Sequence, residues 1–420
     1  MSYKYLLIAK SSVLFRSVAQ SLIAFGFAHA CAWGQVEPSN TKTSVWNLET
    51  GFDSWVLSPS AQQDTLPDYI EDNANLLLVN SHTAWQYKNQ SPYLRLMGEA
   101  NLTQHLTFSV RARADQQVGT RVDALQVQYE ISPQLGLRAG VAEYKTSWCK
   151  SYDTDSAWIQ EIDAPCSTEL FEDVTGGAPG AQIYTRQTWG DYFVQTQLGL
   201  YRPQWLGYDP QEFGFAVPSK QFQVQGNDKW GVSLNALNLE QGTEFRAAYI
   251  HAKQKAYSPE PNIQGRTHQS YGLIYLAAEV AVNSSTKLRL THTRQDLHQT
   301  CLSSVALLGQ CNWNTHMLAR SNSFELSHQL DSKNIVAFAV SAFDMQLEEV
   351  FFNPTFDLSV DYPNGLGIHN RRHAIAWRHE WTPHIFSAVQ WIGAKADSVN
   401  FDTHVPSNAK AMGFRLAYRY

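Results

Sequence analysis

Apolar and polar residues alternate at period two from about residue 75 to the last residue, and no sustained helical period competes with them. In the last segment Met412, Phe414, Leu416, Tyr418 and Tyr420 fall on one face of a strand. Ala411, Gly413, Arg415, Ala417 and Arg419 fall on the other. The same split separates Leu125, Val127, Tyr129 and Ile131 from Ala124, Gln126, Gln128 and Glu130. It also separates Leu135, Leu137, Ala139 and Val141 from Gly136, Arg138, Gly140 and Ala142. Alternating segments of about 10–14 residues exceed the ~5–6 of soluble sheets. A large apolar face opposite a small or polar one fits a barrel that presents its apolar face to lipid. Beyond the N-terminus no stretch approaches the ~20 apolar residues that a spanning helix needs.

The connections alternate between short and long. Turn residues sit at 103–104, 132–134, 190–191, 240–242, 283–285, 331–333 and 381–384. Between them lie the long segments 147–180, 203–228, 257–267, 298–313, 348–367 and 398–407. Short turns on one rim and long loops on the other make an asymmetric barrel. The expected fold is all-β, a transmembrane antiparallel up-and-down β-barrel of about 16 strands, with long extracellular loops and short periplasmic turns. Fourteen and eighteen are the neighbouring even counts. The barrel is expected over 75–420.

Residues 1–34 read as an export signal. Lys4, Lys10 and Arg16 precede the apolar run Leu22–Ala28, and Ala32-Trp33-Gly34 fits a cleavage site ahead of Gln35. Removing them takes three bases and no acids from a net charge of −6, which leaves the mature chain more acidic still. An acidic chain argues against nucleic acid as a partner. Residues 35–74 carry seven acids and three prolines, with Trp46 and Trp55 as apolar anchors. They read either as an N-terminal periplasmic strap or as one more strand near 44–57. Of the cysteines beyond the signal, Cys149 and Cys166 form one local pair and Cys301 and Cys311 another. An even count in an oxidising compartment predicts two disulfides.

The chain resembles Gram-negative outer-membrane porins. The resemblance rests on the strand pattern, on the alternating C-terminal strand ending at Tyr420, and on the longest loop, 147–180, standing after the fifth strand. It implies an outer-membrane location, a C-terminal strand read by barrel-assembly machinery, surrounding lipid and lipopolysaccharide, and a homotrimer. It also implies that loop 147–180 folds inward and narrows the pore. The P-E-F-G-G motif of general porins is absent, and Thr175-Gly176-Gly177-Ala178-Pro179-Gly180 stands there instead.

The charges suggest how such a pore would work. Asp153, Asp155, Glu161 and Asp163 belong to a loop with seven acids and one base, Lys150. Arg95, Arg111 and Arg113 are expected to face them across the constriction, with Arg138 and Arg415 along the pore wall. Opposed acids and arginines set up a transverse field that orients dipolar solutes. Trp189, Tyr192, Trp230, Trp377, Trp381, Trp391, Tyr418 and Tyr420 are expected in interfacial girdles rather than in a sugar-stacking track. The expected function is passive diffusion of small hydrophilic solutes or ions through a water-filled pore. The alternatives are a substrate-selective porin for sugars or phosphate, and a barrel serving as surface receptor or adhesin. No enzyme, cofactor or metal is expected. His268-Gln269-Ser270 is too short a motif to carry lipase chemistry. His369 and His373, about 13 Å apart along a strand, cannot share one metal.

Overall fold

The computed structural model describes residues 44–59, 91–115, 119–142, 178–201, 223–238, 240–257, 265–303, 313–353, 358–400 and 403–420. They form β1 (Val45–Pro59), β2 (Ser91–Asn101), β3 (Leu106–Asp115), β4 (Gly119–Ser132), β5 (Leu135–Ala142), β6 (Ala178–Trp189), β7 (Tyr192–Tyr201) and β8 (Gln223–Asn238). The second half is β9 (Thr243–Tyr257), β10 (Gly265–Asn283), β11 (Thr286–Ser303), β12 (Trp313–Gln329), β13 (Asn334–Asn353), β14 (Leu358–Thr382), β15 (Ile385–Asn400) and β16 (Thr403–Arg419). Each strand pairs with its neighbours in sequence, and β1 pairs with β16, so the sheet closes into a 16-strand barrel. Closure leaves no sheet edge, which is the condition for strands to lie in lipid.

The first strand lies earlier than the boundary expected at residue 75. Val45–Pro59 is a wall strand, paired with β16 from Glu49↔Arg419 to Pro59↔Ala409 and with β2 from Val45↔Glu99 to Asp53↔Ser91. Of the two readings of 35–74, a strand occupies 45–59. Residues 1–34 and 75–90 lie outside the described residues.

The short turns share one chemical device. Thr103, Ser132 and Thr382 each accept, through the side-chain oxygen, the backbone N–H three residues on. Asn238 and Asp331 do the same for Gln241 and Asn334. In the turn between β10 and β11, Asn283 accepts from Ser285, two residues on. Such side chains mimic the backbone bond that a turn lacks and fix the hairpin register. Gly190, at φ 56° in the turn between β6 and β7, and Gly242, at φ 60° in the Asn238–Thr243 turn, supply left-handed residues.

The strand faces sort as the alternation predicts. Met412, Phe414, Leu416 and Tyr418 point outward and are exposed, whereas Gly413, Arg415 and Ala417 point inward and are buried. Leu125, Val127, Tyr129, Leu137, Ile183, Leu198, Val232, Leu276 and Leu290 continue the outward apolar belt around the barrel. An apolar belt of this kind faces hydrocarbon, not water. Trp189, Trp377, Trp381 and Tyr418 stand exposed at the short-turn ends of their strands. Toward the other rim, Trp230 meets Tyr249 edge to face at 5.4 Å. Both groups fit interfacial girdles.

Candidate functional site: an arginine-lined inner wall

The inward face mixes charged and polar residues with small and apolar ones, and its most distinctive part spans the seam where β16 meets β1. Glu49 on β1 is buried at 2% exposure. Its carboxylate accepts from Tyr93 Oη at 2.9 Å, from Arg95 Nη1 at 3.3 Å and from Arg419 Nε at 2.9 Å. One acid thus joins the first, second and last strands on the inner side of the closure.

Three aromatic rings lie flat along this wall because the residue opposite each is small. Tyr93 faces Gly51, Tyr184 faces Gly136 and Phe386 faces Ala417 in the strand register. A Cβ at Gly51 or Gly136 would overlap the tyrosine ring, so the glycine makes room for the ring to fold over. Each ring then carries two guanidinium groups. Arg95 and Arg415 each lie 4.8 Å from the Tyr93 centroid. Arg138 and Arg186 lie 4.6 and 4.9 Å from Tyr184. Arg378 and Arg419 lie 4.6 and 4.2 Å from Phe386. Stacking of this kind contributes ~0.5–2 kcal/mol per contact, more as water is excluded.

Acids and amides hold the guanidinium edges. Arg186 Nη1 donates to Glu130 at 2.9 Å, Arg138 Nε to Gln128 at 2.8 Å and Arg378 Nη2 to Glu380 at 2.5 Å. The six ring-stacked arginines therefore have three glutamates, Glu49, Glu130 and Glu380, as direct partners, and Glu99 and Arg111 lie on the same inner face of β2 and β3. Arg138, Arg186, Arg378 and Arg419 lie within about four residues of their strand ends at the short-turn rim, which is the periplasmic rim in such barrels.

The far arc uses charge differently. Arg289 on β11 is 2% exposed and donates through Nε to Glu279 Oε2 at 2.6 Å, with Glu325 Oε2 at 3.8 Å. Lys287 Nζ binds the other oxygen of Glu279 at 3.2 Å, and Arg246 pairs with Glu244 at 2.7 Å. Three bases here meet three acids.

The residues expected at the pore fall in separate places. Arg95 is on the inner wall, already engaged by Glu49. Arg111 is half-buried on β3, and Arg113 sits opposite Arg95 in the β2–β3 register. Arg138 and Arg415 are on the inner wall, but both are stacked on rings, and Arg415 is buried rather than water-lined. Asp153, Asp155, Glu161, Asp163, Cys149, Cys166 and Cys311 lie outside the described residues. Cys301 is on β11, opposite Trp313. His369 contacts Asp344 at 2.6 Å and His373 the Trp391 ring at 4.9 Å, two separate environments.

Glu49, Tyr93, Tyr184, Arg186 and Arg378 were not singled out in the sequence. A signal for some of them was present: Tyr93-Leu94-Arg95 and Tyr184-Thr185-Arg186 are two Tyr-x-Arg triplets, each placing ring and guanidinium on one strand face.

Neither a protein-family model nor a curated protein sequence matches the chain. Solved structures do. The outer membrane channel DcaP of Acinetobacter baumannii superposes with a TM-score of 0.53 at 9% identity, covering 92% of this chain and all of that one. OmpT, an outer membrane protein of Vibrio cholerae, superposes with a TM-score of 0.50 at 7% identity and the same coverage. At such low identity the likeness is one of fold. The closed 16-strand barrel, its outward apolar belt and these superpositions agree: the chain has the fold of the Gram-negative outer-membrane porins.

Proposed function

We propose that the protein is an outer-membrane channel for passive diffusion of small hydrophilic solutes, with a preference for anions. One observation carries the reading: six arginines are held on Tyr93, Tyr184 and Phe386 along the inner wall. A surplus of fixed positive charge on a low-dielectric wall concentrates anions in the adjoining water. Small carboxylates and phosphate are the solute class that arginines recognise best. A sugar track would need open ring faces. Tyr93, Tyr184 and Phe386 are instead at most 8% exposed and covered by guanidinium groups.

The constriction belongs to the same proposal. Loop 147–180 would bring Asp153, Asp155, Glu161 and Asp163 opposite Arg111 and Arg113, with Arg95 already balanced by Glu49. A Cys149–Cys166 disulfide would stiffen the loop, and a Cys301–Cys311 disulfide would close the turn between β11 and β12. A homotrimer is the proposed assembly. The outer groove between β8 and β14, which includes Leu276, Leu290, Phe324 and Val340, also carries the His292–Asn322 hydrogen-bonded pair. Polar groups at this depth are better placed against a second subunit than against acyl chains.

Planar-bilayer recording tests the function. The expected result is stable conductance steps and a reversal potential of anion-selective sign in a salt gradient. Neutralising Asp153, Asp155, Glu161 and Asp163 together should strengthen that preference. An absence of steps from correctly folded protein would move the function to the surface-receptor reading.

A further inference from the structure

The outer face of β11 and β12 carries a cluster that the channel reading does not use. Asp296 and His298 are two residues apart on β11, so both project from one face of the strand. His316 on β12 stands directly opposite His298 in the register. The two imidazole rings stack with centroids 4.1 Å apart and planes 4° apart. Nε2 of His298 lies 3.1 Å, and Nε2 of His316 3.0 Å, from the same Oδ1 of Asp296. The three donor atoms all lie within 4.8 Å of one another.

This spacing suits a hydrogen bond and is also compatible with a shared ion. A zinc-class ion holds imidazole nitrogen and carboxylate oxygen at ~2.0–2.2 Å, which places two ligand atoms at tetrahedral or octahedral angles roughly 3.0–3.4 Å apart. The two nitrogen-to-oxygen separations, 3.1 and 3.0 Å, are close to the lower bound. Two imidazoles and one carboxylate form a borderline donor set, suited to Zn²⁺, Cu²⁺ or Ni²⁺ rather than to Mg²⁺ or Ca²⁺. Three protein ligands leave a further position for water.

The place in the barrel is consistent with ion access. A strand crosses the hydrocarbon in ~9–11 residues. His298 lies roughly twelve residues along β11 from Thr286, so the cluster stands at or beyond the outer edge of the lipid. Its side chains are 34–55% exposed. Arg294 and Arg320 face each other across the same strand pair one step nearer the short-turn rim. Their charge weakens cation binding and points to micromolar rather than nanomolar affinity.

We propose that Asp296, His298 and His316 form a binding site for a divalent zinc-class cation on the outer face of the barrel. On binding, the imidazoles splay from their stack until both Nε2 lone pairs converge on the ion. Any proton on Nε2 leaves to solvent, and the carboxylate changes from hydrogen-bond acceptor to ligand. The ion ties β11 to β12 below the segment 304–312. The site is independent of what the pore conducts.

The test is calorimetric titration of ZnCl₂ into the full-length protein folded in detergent. Wild type, H298A/H316A and D296N are compared, with folding checked by heat-dependent gel mobility. Wild type should bind one more Zn²⁺ than H298A/H316A, with a micromolar Kd, and D296N should bind that ion at least about tenfold more weakly. Zinc held elsewhere, by other histidines or by thiols, cancels in the comparison. Equal stoichiometry and affinity in wild type and H298A/H316A overturn the proposal. Electron paramagnetic resonance of one equivalent of Cu²⁺ on wild type gives a readout that needs no variant. Hyperfine splitting from two nitrogens supports the site, and its absence overturns the proposal.

Discussion

The two halves of the inner wall hold similar charges and use them in opposite ways. Around the seam, six arginines stack on three aromatic rings, and three glutamates pair with four of them. Around β9–β12, Arg289 is enclosed between Glu279 and Glu325, and every named base has an acid. Burial is similar, since Arg415 is 3% exposed and Arg289 2%. The difference is what surrounds the guanidinium. A ring face attracts a cation without cancelling its charge, so the field survives into the lumen. A carboxylate cancels it, leaving a structural strut. Net charge in a pore thus depends on the choice of arginine partner as much as on the number of arginines.

The largest expected effect separates the two arcs by stability. Glu49→Gln leaves Arg95 and Arg419 without their shared acid at the barrel's closure and should cost about 3–5 kcal/mol. Glu325→Gln leaves Arg289 its short contact to Glu279 and should cost only about 0.5–1.5 kcal/mol. Urea unfolding from lipid vesicles measures both, and equal costs would remove the distinction.

A second pair of changes asks whether the difference is confined to the inner face. Phe414 in the seam and Phe338 on β13, beside the far arc, are both outward and exposed. Arginine at either position should cost about 2–4 kcal/mol, the lipid-face penalty near the midplane. A much smaller cost at one of them would mean that its face does not meet lipid. Ala417 is no water-lined control for such a test. It is 2% exposed and packed with Tyr93 and Phe386, so a larger side chain there overfills the wall.

Selectivity should follow the same division. Arg138→Gln removes a seam arginine that is held by the Gln128 amide and the Tyr184 ring, and it should move the reversal potential toward cations. Arg289→Gln should leave it unchanged. A shift of equal size from Arg289→Gln would mean that its pairing with Glu279 does not silence it.

The smallest effect lies outside both arcs. Asp331, in the turn between β12 and β13, is held below the usual carboxylate range by the backbone N–H of Lys333 and by Asn334. A carboxyl with a depressed folded pKa adds stability above its unfolded pKa of about 3.9 and loses it as pH falls through the folded value. Wild type should therefore lose its slight stability advantage over Asp331→Ala only below about pH 4. A difference that persists undiminished to pH 2 would mean that the carboxylate does not hold the turn.

Much of the barrel was legible because lipid enforces the alternation at every outward position, as in Met412, Phe414 and Leu416. The turn chemistry was legible for the same local reason, in Thr382 or Asp331. The first strand was not. Trp46, Leu48 and Phe52 alternate over too few residues, among acids and a glycine, for a strand to be distinguished from a strap without its partners. The inner wall was half legible. Tyr93 and Arg95 share a face by spacing alone. That Gly51 lies beneath the ring and Glu49 beside the guanidinium depends on pairings between distant segments, which no local pattern encodes.

The salt bridge between Glu49 and Arg419 spans 370 residues of sequence. Most other strand pairings here can form between neighbours as soon as a hairpin turns, but this one must wait for almost the entire chain. Long-range pairings are slow because the intervening loop loses its freedom before any contact compensates. The meeting of β1 with β16 is therefore expected late in assembly. Until then two unpaired edges with open backbone groups have to be shielded from lipid. Glu49 works as a latch in time as well as in space: it can engage Arg419 only when the cylinder is complete.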